Sequence, residues 1–478
     1  MTGNEFERIT PAQAGLDPRC IINMMDRMEK EKINITSFVL LRHGKILCEA
    51  YYKPYEKDQL RTVFSLSKTF TSMAIGIAAG EGKINLDEKI TDLFAEEIEK
   101  GQIPVGKELE SLTIRHLLRM STGQEHEPNR GESDWNDMAT AFLSTPFHEM
   151  PGEVFRYNSM ATYMLSASLK KKGIDLEEYL EEKLLTPMGI TGTRWLRDPR
   201  GICTAGFGFS LYPEVIAKLG QMILQGGMWN GKQLVPKTYI EMATSKQIEN
   251  GDDPASDWAQ GYGYQMWRCK NNAVRGDGMY GQFCMIHKDT DTVLAMTAVT
   301  GDMQGEMNVY YEEVLLHYQD QPLAEDEEAM TELNERLAAL HYTRPLPEDD
   351  GSKLPEKLKK LELPLADFFD LTLSCENDLI TLTDKAGEVR YVAGRGEWKK
   401  TCRKVHCTPL YTKKDQVDTP VIGAWGMKNG SLVIKVYEIE MLEEDTLTLT
   451  PEEDGVQVKL VNTTIPSQPN EYISTVIQ

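Results

Sequence analysis

The sequence predicts an α/β domain, a mixed sheet flanked by helices with a helical subdomain, followed by a small all-β unit. Three observations carry this: strand and helix signals alternate over roughly the first two thirds, Thr343–Lys360 is rich in Pro, Gly, Lys and acids, and the periodicity beyond it is two. At 478 residues the chain also exceeds what one core usually organises. The expected division is 1–320 for the α/β domain, 321–360 for a helix and linker, and 361–478 for the all-β unit.

Phe38-Val39-Leu40-Leu41 and Ile46-Leu47-Cys48 flank Arg42-His43-Gly44-Lys45, which reads as an early hairpin closed around a glycine. Helical spacing of apolar residues follows over Thr69–Ala79, Leu112–Met120, Ala161–Lys172 and Val215–Leu224. Between them, Ser121–Trp135 and Ile248–Gly261 are punctuated loops, long enough to be walls of a site. Strand signals return at Gly263–Trp267, Phe283–Ile286 and Val293–Val299, so one sheet is expected from both ends of the domain. Met330, Leu333, Leu337 and Leu340 form a helical stripe before the linker. After it, Leu379–Thr383, Val389–Val392, Leu432–Val436, Thr446–Leu449 and Val456–Leu460 alternate, with Asn429-Gly430 and Asp454-Gly455 as hairpin turns of a separate all-β unit.

Lys and Arg total 52 against 74 Asp and Glu, giving a net charge of −22. A phosphate backbone or an anionic membrane would be repelled, so neither is an expected partner. No stretch approaches the roughly 18 unbroken apolar residues of a membrane span. The polar start, Met1 to Ile9, lacks the basic-then-apolar build of an export signal, so the expected location is the cytoplasm. The eight cysteines are scattered without a CxxC pair and read as buried free thiols. Cys402, His406 and Cys407 cluster, but they lack the four-ligand spacing of structural zinc.

Ser65-Leu66-Ser67-Lys68 carries the first chemical signal. Residues three apart on a helix share a face, so a Lys68 amine can reach the Ser65 hydroxyl if the serine opens a helix. The helix start adds N–H groups for developing negative charge, and burial lowers a lysine toward basic catalysis. The motif alone is weak, since Ser168-Leu169-Lys170-Lys171 has the same spacing. Context separates them: Ser65 follows strand-like Thr62-Val63-Phe64 and precedes a nearly uncharged helix, whereas the second match ends a helix with a basic exit. The plain alternative for Lys68 is a structural amine beside a hydrogen-bonded serine.

Tyr157-Asn158-Ser159 follows Pro151-Gly152 and enters the next apolar helix. A phenol near an ammonium can relay a proton, and Ser159 could contact substrate or hold Lys68. A core aromatic is the alternative for Tyr157. In Gly276-Asp277-Gly278-Met279-Tyr280-Gly281-Gln282, three glycines let backbone approach a ligand, and an exposed N–H could join an oxyanion hole. A glycine-rich hairpin without further role is the alternative. Trp135 could line a cleft or simply cover the core.

In order, these elements resemble the serine β-lactamase and penicillin-binding family, nearest its class C, esterase and D-aminopeptidase branch. Phe64–Thr71, Leu112–Gly123, Pro151–Ser168, Leu185–Gly189 and Gly281–Ile286 carry the likeness, which spans roughly 10–318. The resemblance implies that Ser65 attacks a carbonyl, Lys68 and Tyr157 share proton transfer, and the N–H groups of Ser65 and Met279 hold the oxyanion. Ser159, Asp277, Gly278 and Trp135 become candidate substrate contacts, and no metal or organic cofactor is implied.

Two departures redirect the expected substrate. The family's third motif is usually Lys-Thr-Gly or His-x-Gly, and Gly276-Asp277-Gly278 lacks that cation. Its Tyr-x-Asn becomes Tyr157-Asn158-Ser159. A small ester or amide is therefore expected over a β-lactam, and an amine-bearing substrate could exploit Asp277. The rivals are a catalytically weak binding or sensing protein, a β-lactamase or D,D-peptidase, and an acyltransferase. The all-β unit resembles the small barrel or sandwich domains appended to relatives, and it could close on itself, dock on the first domain or shape a homo-oligomer.

Overall fold

The computed structural model describes residues 4–128, 135–342, 344–365, 369–384, 387–404, 418–442, 444–463 and 470–477. Contacts divide the described chain into two units, one up to Tyr342 and one beyond it.

The first unit is organised by a seven-stranded mixed sheet. Its strands are β1 (Glu7–Arg8), β2 (Ile35–Arg42), β3 (Lys45–Tyr51), β4 (Trp267–Arg268), β5 (Val274–Gly278), β6 (Gln282–His287) and β7 (Thr292–Ala298), in the spatial order β1-β3-β2-β7-β6-β5-β4. The early hairpin and the late strands meet where β2 pairs antiparallel with β7, Val39 opposite Ala295. Every residue of β2 is buried. Strand alternation sends Val39 and Leu41 to one face and Phe38 and Leu40 to the other, and a helical layer covers each.

On the first face lie α2 (Ser67–Gly80) and α4 (Pro213–Leu224), with α3 (Ser159–Lys171) and shorter helices behind them. On the second lie α1 (Pro18–Lys30), α5 (Met303–Glu313) and α6 (Glu327–Ala338). Each fully buried Leu, Ile or Phe in these layers contributes about 1.5–3 kcal/mol relative to exposure. The helix expected to lead into a linker, α6, belongs to the first unit: Leu333 and Leu340 join its core, and Arg336 reaches Asp26 and Glu29 of α1.

Several local expectations need correction. Gly263–Trp267 is not one strand; only Trp267–Arg268 is extended into the sheet, because Gln265 takes a left-handed φ of 59°. Gly276 and Gly278 belong to a strand, Val274–Gly278, that was not expected before Phe283, and the turn is Met279-Tyr280-Gly281. The Leu112–Met120 stretch contains a helix only over Ile114–Leu118.

In the second unit one ten-stranded sheet, from Lys360–Leu365 to Asn470–Ile477, curls until its first and last strands approach each other, a nearly closed barrel-like form. Leu432, Ile434 and Val436 alternate inward along one strand. Asn429 and Gly430, both at positive φ, close the hairpin before it. The expected Asp454-Gly455 turn shifts by one residue, since Gly455 already pairs with Glu452.

The seven described cysteines are free, but only four are buried; Cys20 and Cys375 are half-buried and Cys402 is exposed, against the expectation that all are interior. His406 and Cys407 lie outside the described residues. Among the described residues no helix is long and apolar enough to cross a membrane, and no cluster of three or more His, Cys, Asp or Glu could hold a metal ion.

Candidate active site

Ser65 lies in a single 3-10 turn, Phe64–Leu66, that runs directly into α2. Phe64 has φ 46°, a left-handed conformation that L residues rarely adopt, and its ring meets Tyr280 edge-on at 5.4 Å. The abrupt turn lifts Ser65 to partial exposure while Leu66 to Ala78 are buried. A first-turn position also leaves its N–H without an intrahelical acceptor.

Lys68, the sole charge on α2, is 2% exposed. Its Nζ lies 3.0 Å from Ser65 Oγ, 3.2 Å from Ser159 Oγ and 2.6 Å from the Gly206 carbonyl oxygen. Three acceptors match an ammonium's three donors, yet burial pushes Lys68 down to about 7, with Glu127 and Asp277 opposing that fall. The amine and the ammonium are therefore both accessible near neutral pH.

The segment around Gly206 approaches so closely that a Cβ there would lie 2.7 Å from the Ser159 carbonyl oxygen. Glycine is what permits the Gly206 carbonyl to reach the amine. Other polar side chains of α2 bond to this and to a second segment: Thr71 donates to Ala205 O and Thr69 to Gln265 O.

Ser159 is the first residue of α3, whose N-cap Asn158 accepts from the N–H groups of Met160 and Ala161. The Ser159 N–H donates to Glu127 Oε2 at 3.1 Å, which brings a carboxylate to this helix start. Tyr157 is 36% exposed, so it is not a core aromatic. Its ring stacks on Trp267 at 5.6 Å and 20°, and Lys68 Nζ lies 4.8 Å from its centroid. The hydroxyl end is enclosed: burial pushes the phenol up well above its ordinary value, the Asp277 charge adds to this, and a hydrogen bond with Ser65 opposes it.

The β5–β6 hairpin completes the group. A Cβ on Gly278 would stand 2.1 Å from the Val63 carbonyl oxygen, so the bare backbone is what lets this strand dock beside the Ser65 turn. Met279 follows the last paired residue, Gly278 opposite Gln282, and Gln282 Nε2 donates to the Met279 carbonyl. Its side chain is exposed.

Asp277 is 8% exposed and is not the uncompensated acid that the sequence suggested. Arg275, two residues earlier on the same strand face, is fully buried and donates through Nε to Asp277 Oδ2 at 3.0 Å. The strand period places the two side chains together. Of the other expected contacts, Trp135 opens a short 3-10 turn, and its side chain lies outside the described residues.

Ser65, Lys68, Tyr157, Ser159, Asp277, Gly278 and Met279 thus converge. Glu127, Gly206, Trp267 and Arg275 join them unannounced. Only Arg275 carried a usable signal, an arginine flanking a glycine-rich strand.

The Beta-lactamase family model matches residues 23–317. The chain belongs to that family. This β-lactamase-family chain is 24% identical over 316 residues to the 6-aminohexanoate-dimer hydrolase of Paenarthrobacter ureafaciens, covering 60% of the chain and 78% of that protein. It is 23% identical over 181 residues to Protein flp of Staphylococcus aureus, where the match spans only 36% of the relative's length. A penicillin-binding protein homologue from Caulobacter crescentus shares the fold with a TM-score of 0.51 at 14% identity, over 62% of this chain and 98% of that one. Hydrolase chemistry is what the family and its named relatives indicate for the β-lactamase-like unit.

Proposed function

We propose that the protein is a serine hydrolase that acts through an acyl-enzyme on a small ester or amide, with Ser65 as nucleophile. The observation that carries this reading is the 3.0 Å separation of Lys68 Nζ and Ser65 Oγ, in surroundings dry enough to lower the amine to about 7. A neutral Lys68 keeps donating to Gly206 O and Ser159 Oγ while its lone pair accepts the Ser65 proton. The freed oxygen attacks the substrate carbonyl. Backbone N–H groups of Ser65 and Met279 stabilise the resulting oxyanion.

Collapse of that intermediate needs a proton on the leaving oxygen or nitrogen. Tyr157, whose ring centroid lies 4.8 Å from Lys68 Nζ, shares that transfer and is replenished by the ammonium. Water then attacks the acyl-enzyme by the reverse proton path, which restores Ser65. At the third motif an acid, Asp277, stands where the family places the cation it directs at a carboxylate, and the nearby Arg275 is engaged by that acid, which favours esters and linear amides over β-lactams.

The test is intact-mass analysis after a fluorophosphonate or an activated ester. One adduct that maps to Ser65 and is absent from Ser65→Ala is expected. Labelling that persists unchanged in Ser65→Ala contradicts the proposal.

A further inference from the structure

Arg275 is an unusual residue to bury at the edge of a reaction cleft. It has no exposed surface, and its guanidinium lies 4.5 Å from the Trp258 ring, 5.4 Å from Trp267 and 6.0 Å from Phe283. Nη1 donates to the Asp257 carbonyl at 2.7 Å and contacts Cys269 Sγ at 3.0 Å. Nε donates to Asp277 Oδ2, while Nη2, 3.0 Å from the same oxygen, is poorly aligned and lacks a hydrogen-bond partner among the described residues. A buried guanidinium with one unsatisfied nitrogen keeps a strong affinity for a carboxylate.

Asp277 is what stands between that cation and the cleft. Both guanidinium contacts fall on Oδ2, so the described side chains leave Oδ1 without a hydrogen bond. The carboxylate is near enough to the Tyr157 phenol and the Lys68 amine for its charge to act on both.

We propose that Asp277 is a specificity-determining residue: it caps a carboxylate-binding cation, Arg275, and converts an anion-accepting pocket into one that takes neutral or N–H-bearing substrates. This rests on the reading of Ser65 as nucleophile and deepens it by naming the substrate class. Oδ1 accepts an N–H from the substrate, and a substrate carboxylate at that position meets a like charge. Taking the carboxylate away leaves a space of its own size beside the guanidinium, which an external carboxylate fits.

Two measurements test this. The first compares wild type and Asp277→Asn on matched p-nitrophenyl esters whose acyl chains end in a neutral amide or a carboxylate. Wild type should favour the amide by at least about tenfold, and Asp277→Asn, which keeps the shape and loses the charge, should narrow the gap to within about threefold. A wild type that does not discriminate, or an unchanged gap in Asp277→Asn, overturns the proposal.

The second is independent of turnover and so separates this idea from the nucleophile assignment. Butyrate binding by calorimetry should be at least about tenfold tighter for Asp277→Ser than for wild type, and should be lost in the Asp277→Ser, Arg275→Met double variant. Equal binding by all three, with folding checked by circular dichroism, refutes the capped cation even if Ser65 proves to be the nucleophile.

Discussion

The chain contains the same serine-lysine spacing twice, and the two copies behave differently. At Ser65 and Lys68 the serine is partly exposed on an abrupt turn, and the lysine is buried among three acceptors from separate segments. At Ser168 and Lys171 the serine is buried and donates back to Met164 O of its own helix, while the lysine sits at the surface paired with Glu97 at 2.8 Å. The pattern on one helix face is equal. What differs is whether other segments converge on it and remove water. On the proposed reading, catalytic potential resides in the tertiary surroundings of the motif, chiefly the Gly206 carbonyl, Ser159 and Tyr157.

The strongest way to break this contrast is to exchange the two serines' fates. Ser65→Ala should lower ester hydrolysis by at least about ten-thousandfold, as loss of a nucleophile does. Ser168→Ala should leave kcat/KM within about twofold and cost only about 1 kcal/mol of stability, measured by denaturant unfolding. The lysines extend the comparison. Lys68→Met should lower kcat by about a thousandfold, whereas Lys171→Met should be silent in the same assay.

Tyr157→Phe keeps the stack on Trp267 and removes only the hydroxyl, so a loss of about a hundredfold in kcat is expected. A change under threefold would mean that the phenol handles no proton. The smallest effect should come from Trp267→Leu, where loss of the stacked ring, worth about 0.5–1.5 kcal/mol, should lower kcat by up to about tenfold and leave Ser65 labelling detectable.

The same contrast explains what was legible beforehand. The convergence of Ser65, Lys68 and Tyr157 could be expected because their side chains carry the signal and the spacing of Ser65 and Lys68 has a geometric meaning. The sheet assembled from both ends of the first unit was visible as strand patterns around a helical middle. Gly206 was invisible, since its contribution is a carbonyl that every residue has, delivered by a close approach that only three dimensions define. Arg275 escaped because its effect is on the charge of Asp277, and a sequence shows charges without their partners. The shortened strand before Trp267 followed from the left-handed backbone at Gln265, a residue type that seldom adopts it.

The central claim is that burial, not spacing, makes Lys68 a base. Folding lowers its proton affinity, so the reactive neutral amine should accumulate as pH rises through about 7, whereas an exposed lysine stays protonated up to about 10. The pre-steady-state rate of Ser65 acylation by an activated ester, followed from pH 5 to 10, measures this directly. The account predicts a rate that climbs with pH and levels off above a midpoint near 7; a rate still climbing at pH 10, or one independent of pH, contradicts it.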